Sequence, residues 1–108
     1  MDYLVLRRKF YQIITIAAQG KAQRTKYERI YKLLLQYLID ACACLTASEY
    51  FAKRAKSAKA EALKRIQKIP PICESFLNNL SNDNQNRWKF KTIARIACEL
   101  IDEIRNET

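Results

Sequence analysis

The sequence predicts an all-α protein: a compact bundle of four long helices plus one short helix, in a single domain over residues 1–108. Three observations predict it. One glycine (Gly20) and two prolines (Pro70, Pro71) are too few for the turns of a strand-rich fold. Hydrophobic residues make up 49% of the chain, enough for a packed core and too many for disorder. Apolar residues recur at three- and four-residue steps, the period of an amphipathic helix.

The first helix is expected over residues 2–19, with Tyr3, Leu6, Phe10, Ile13, Ile14 and Ala17 on one stripe. Gly20 is expected to end it, because glycine enters the left-handed region freely. Thr25-Lys26-Tyr27-Glu28 has the spacing of a capping box and opens a second helix reaching about residue 45. That helix is apolar around most of its girth, from Tyr27 through Tyr31, Leu34 and Leu38 to Leu45, with Leu33 and Ile39 on other sides, so it is expected at the centre of the bundle.

Thr46-Ala47-Ser48-Glu49 reads as a second capping box, opening a third helix that lasts to residue 69. Its stripe is Phe51, Ala55, Ala58, Ala62, Ile66 and Ile69, where the alanines favour close helix approach. Pro70-Pro71 stops it, since proline lacks a donor and clashes with the preceding turn. A short helix follows over residues 71–80, burying Ile72, Cys73, Phe76 and Leu77. Ser81-Asn82-Asp83-Asn84 reads as a loop. The last helix covers residues 86–105, with Phe90, Ile93, Ala94, Ala97, Leu100, Ile101 and Ile104 inward.

The net charge is +9 and unevenly placed. Residues 1–71 hold fifteen lysines and arginines against five carboxylates, whereas residues 72–108 hold five against six. A localised excess suits an anionic partner. The third helix concentrates it, with Lys53, Arg54, Lys56, Lys59, Lys64, Arg65 and Lys68 against Glu61 alone. A solvated face usually mixes signs to gain i, i+4 pairs; like charges at these spacings repel, and a phosphate backbone reverses that cost. The second signal is Arg87-Trp88-Lys89-Phe90-Lys91. Phe90 belongs to the core stripe. Trp88 points elsewhere, either packing against the neighbouring loop or short helix, or offering a stacking surface for an unpaired base.

The same residues argue against catalysis. Histidine is absent, one glycine cannot build a phosphate loop, and Glu99, Asp102, Glu103 and Glu107 have the spacing of a solvated helix face. The expectation is a non-catalytic protein. No cofactor is expected, and no metal: Cys42-x-Cys44 sets two thiols about 200° apart on a helix. Cys42, Cys44, Cys73 and Cys98 read as buried free thiols in a reducing compartment. Leu4-Val5-Leu6 precedes Arg7-Arg8-Lys9, the wrong order for an export signal, and no apolar run approaches the ~20 residues of a membrane span. The expected location is the cytoplasm.

In size, helix order and charge, with residues 53–68 as local support, the chain resembles the small all-helical subunits of CRISPR effector complexes, agents of antiviral defence. That resemblance implies several copies stacked along a guide–target duplex, contacting target or displaced strand without reading sequence. The chain is also similar to basic four-helix-bundle accessory proteins of diversity-generating retroelements, but lacks their aromatic and glycine-rich segments. No residue is carried over by motif from either. The expected function is sequence-independent binding of DNA or RNA backbones within a larger ribonucleoprotein, alongside other subunits and away from membranes. The alternative is an adaptor whose basic helix docks on an acidic protein.

Overall fold

The apolar periodicity resolves into five helices: α1 (Tyr3–Ala22), α2 (Glu28–Tyr50), α3 (Ala55–Ile66), α4 (Ile69–Leu77) and α5 (Asn84–Asn106), with a 3-10 turn (Ala52–Arg54) before α3. This computed structural model describes residues 2–80 and 82–106. Part of the predicted loop (Ser81) and part of the carboxylate cluster (Glu107) therefore lie outside the described residues, which contain no strand. Aspartates start both terminal helices. Asp2 accepts from the N–H groups of Leu4 (3.1 Å) and Val5 (3.3 Å), and Asp83 accepts from the Asn86 N–H (3.1 Å).

Cross-helix contacts set the topology. Tyr3 lies 3.1 Å from the Ser48 hydroxyl and Arg7 pairs with Glu49 at 2.8 Å, so α1 and α2 are antiparallel. Lys68 lies over Tyr37, which turns the chain back along α2. Phe76 meets Phe90, and Lys9 pairs with Glu103, so α5 runs against both α4 and α1. The result is an up-down-up-down bundle of 47 × 23 × 19 Å whose third rod is broken into α3 and α4. The core is continuous, from Leu6, Phe10 and Ile13 through Leu34, Leu38 and Leu45 to Ile66, Ile69, Ile93, Leu100 and Ile104.

The all-α bundle is as expected, but several boundaries move. α2 runs on to Tyr50, through the second predicted capping box. There Thr46 donates to the Cys42 carbonyl (2.9 Å) and Ser48 to the Leu45 carbonyl (2.7 Å), bonding back along the helix instead of starting a new one. Contacts from Ser48 and Glu49 to α1 hold this stretch helical. α3 is consequently a helix of 12 residues, so the bundle has three long helices and two shorter ones. The proline pair sits in the first turn of α4, where its missing donors cost nothing, and α3 has already ended at Ile66. α5 begins at Asn84 because Asp83 caps it. The Thr25 box is half realised: Thr25 Oγ1 accepts from the Tyr27 N–H (3.2 Å), but α2 starts at Glu28 without a side-chain cap.

Gly20 does not end α1. It lies buried inside the helix, and a Cβ built there would run into the Tyr31 ring. The left-handed residue of this turn is Arg24, with φ of 52°. Tyr31 stacks on Phe90 with ring centres 4.8 Å apart and donates to Asn86 Oδ1 at 2.6 Å. Tyr27 and Phe76 meet the same Phe90 ring, at 5.9 and 6.1 Å. α2 is a member of a four-rod ring, not a central helix: it packs mainly on α1 and α3, meets α5 through Tyr31, and leaves Leu33 and Ile39 exposed. Four rods of this length enclose no central position. α2 also has the length and mean hydropathy (1.3) of a spanning helix, which corrects the expectation that no such run exists; 33% of that stretch is buried within the bundle.

The thiols differ from one another. Cys42 and Cys73 are buried and Cys44 is half-buried, but Cys98 is exposed on α5, contrary to expectation. Burial pushes Cys73 up to about 12, with Glu74 and Cys98 adding to it, and burial raises Cys42 and Cys98 as well. Cys98 is expected to react first with a thiol reagent, and Cys73 only after unfolding. Burial also raises the Tyr31 phenol, with Asp83 contributing. A group whose folded value is raised keeps its stabilising effect below its unfolded value and loses it above. Stability should therefore fall as pH rises from 9.0 towards about 12, and Cys73→Ala should reduce that fall in an alkaline denaturation series. A wild-type protein equally stable at both ends of this window would refute the burial of Cys73 and Tyr31.

Candidate nucleic-acid interface

The basic residues of the third rod are displayed, not buried. Lys53 and Arg54 lie in the 3-10 turn; Lys56, Lys59 and Lys64 follow on α3, and Lys68 stands just beyond its end. All are exposed except Lys59, which is half-buried. Inward positions of α3 go to Ala62 and Ile66, with Ala55 and Ala58 half-buried, so small residues bring the backbone close to α2 and the long cationic side chains point away.

Pairing within this set is sparse. Arg65 is bound by Glu61 at 2.6 Å; their hydrogen bond raises the guanidinium and lowers the carboxylate. Lys68 sits 5.3 Å from the Tyr37 ring centre, a cation–π contact. Lys53, Arg54, Lys56, Lys59 and Lys64 make no ion pair among the described residues. A shallow concavity of about 350 Å³ lies between Tyr37 and Asp40 of α2 and Glu61, Lys64, Arg65 and Lys68. Its two carboxylates temper the charge there, whereas no carboxylate lines the concavity that holds Lys53 and Arg54.

The second predicted segment is divided by the structure. Arg87, Trp88 and Lys91 are exposed on α5, and Trp88 is 56% exposed, which leaves little of the internal packing role. Lys89 is a correction: it is 6% exposed and cannot present its length to a ligand. It shares a face with Asn86, three residues earlier, so its stem packs inward. Its charge instead helps lower Asp83, whose main support is the Asn86 hydrogen bonds. The two basic segments are also not adjacent. Tyr27 and Tyr31, at the start of α2, pack beside the start of α5, while Lys53 follows the end of α2, so Trp88 and Lys53 occupy opposite ends of the bundle.

The acidic residues of α5 do not converge. Glu103 binds Lys9 on α1 and Glu99 meets Arg95 at 3.6 Å, while Asp102 lies on the α4 side near Pro70 and Pro71. Among the described residues no group of histidine, cysteine and carboxylate side chains is placed to hold a metal ion. The sequence reading missed Tyr50 and Phe51, which are 68% and 61% exposed. The periodicity places Phe51 on the core stripe of the third helix; the non-helical backbone at Phe51 (φ −121°, ψ 87°) instead leaves its ring exposed. Its short distance in sequence from Lys53 and Arg54 was the available signal. Comparison with models of known protein families, with curated proteins and with solved structures finds no significant match for this chain.

Proposed function

We propose that this protein is a non-catalytic subunit of a larger ribonucleoprotein that holds nucleic-acid backbones without reading their sequence. The observation that carries this reading is the set of exposed cations Lys53, Arg54, Lys56 and Lys64, none of which makes an ion pair among the described residues. Like charges at these spacings repel in isolation, and a phosphate backbone turns the repulsion into attraction while releasing counterions. Arg87, Trp88 and Lys91 form a second, separate contact. The proposed location is the cytoplasm.

The test is a salt titration of binding by Lys53→Ala/Lys64→Ala/Lys68→Ala. Each phosphate contact contributes a slope of about −0.7 on a single strand or −0.9 on a duplex in log K against log salt. The triple variant should flatten the slope by about two units or slightly more, equally for unrelated sequences, because phosphates carry no base identity. Folding should persist, since alanine is the better helix former. Wild-type slope and affinity in the variant would refute the reading. Binding of an acidic protein that unrelated oligonucleotides fail to displace would favour the adaptor instead.

A further inference from the structure

The end of α2 carries an exposed pair of aromatic rings beside cations. Tyr50 and Phe51 are the two most exposed large apolar side chains of the described residues, at 68% and 61%. With Ala52, Lys53 and Arg54 they line a shallow concavity of about 460 Å³. The backbone explains the display: α2 ends at Tyr50, Phe51 leaves the helical conformation, and the 3-10 turn redirects the chain before α3 begins. Arg7 steadies the corner from α1. Burial works against its charge, but hydrogen bonding to Tyr50 and the Glu49 carboxylate outweigh that and raise the guanidinium. Glu49 is thereby engaged at 2.8 Å, which leaves Lys53 and Arg54 as the uncompensated charges at the rim.

We propose that Tyr50 and Phe51 form a stacking site for unpaired bases of single-stranded nucleic acid, with Lys53 and Arg54 holding the flanking phosphates. The inference rests on the phosphate-binding reading of the basic row, which begins at this corner. Charge complementarity selects the occupant: a polyanion whose bases offer flat faces matches two rings followed by two cations. A membrane surface matches less well, because the following helix α3 turns Ala62 and Ile66 into the core and has no large apolar face to insert. Stacking tolerates any base, so the site adds affinity for single strands without sequence preference.

The experiment compares binding of labelled oligothymidylate and a fully abasic strand of equal length to the full chain. Wild type should bind oligothymidylate more tightly. Tyr50→Ala/Phe51→Ala should lose about 5- to 150-fold per base unstacked on oligothymidylate and nothing on the abasic strand. Phe51→Trp should retain the preference, and Phe51→Ala alone keeps the test open if the double variant unfolds. Lys64→Ala/Lys68→Ala should weaken both strands alike. Equal wild-type affinity for the two strands overturns the stacking site while leaving the phosphate reading intact. So does an aromatic variant that binds oligothymidylate as wild type but loses binding to phosphatidylserine vesicles. Failure of wild type to bind either strand removes the phosphate reading, and this inference with it.

Discussion

Replacing Phe90 by alanine is expected to cost about 3–5 kcal/mol, as for other fully buried phenylalanines. The ring is completely buried and is the hub of the aromatic cluster, meeting Tyr27, Tyr31 and Phe76. Its loss opens a cavity shared by α2, α4 and α5. It also removes the stacking partner of Tyr31, whose hydroxyl bond to Asn86 then has less to hold it in place. The check is urea denaturation or thermal melting, where each kcal/mol corresponds to a fall of about 4–8 °C in a domain near this size. Trp88→Ala provides the contrast, two residues earlier on the same helix but exposed; it should change stability by less than about 0.5 kcal/mol. Near-equal effects of the two substitutions would mean that the register of α5 is wrong.

Gly20→Ala should destabilise the protein even though alanine is the better helix former by about 1 kcal/mol. The added methyl meets the face of the Tyr31 ring. That ring cannot yield easily, being fully buried, stacked on Phe90 and tied to Asn86. Overpacking of this kind costs about 1–3 kcal/mol, and more when a stacked ring is displaced, so the net loss is about 1–2 kcal/mol. Tyr31→Leu makes room for the methyl. The double variant Gly20→Ala/Tyr31→Leu should therefore be less destabilised than the two single changes together. A stabilised Gly20→Ala protein would mean that the Tyr31 ring does not close on Gly20.

Some of this architecture is legible in the sequence, and the legible parts share a cause. The stripe of α5 from Phe90 to Ile104 and that of α1 from Leu6 to Ala17 turn inward as the 3.6-residue period requires, fully buried except for the half-buried Ala94 and Ile14. Scarcity of glycine and proline gives the helical class, and the charge count locates the basic helix. Periodicity is a property of neighbouring residues, so a local reading recovers it. Competing local signals are less secure. Thr46-Ala47-Ser48-Glu49 has capping spacing, but a cap forms only where the helix actually breaks. Arg7 and Tyr3, more than forty residues away, reach the same segment and keep it helical.

The site residues divide in the same way. That residues 53–68 are basic is written in the chain, and so is the presence of Glu61 as their one carboxylate. Which cations are free was settled by packing: Lys89 turns inward beside Asn86, Arg65 closes on Glu61, and Lys68 rests over Tyr37. The separation of Trp88 from Lys53 likewise follows from the antiparallel order of the rods. Sequence by itself determined the helical class, the core stripes and the sign of the surface. Tertiary structure alone decided how far α2 runs and why Gly20 is needed, because each depends on an ion pair or a ring supplied by a distant segment.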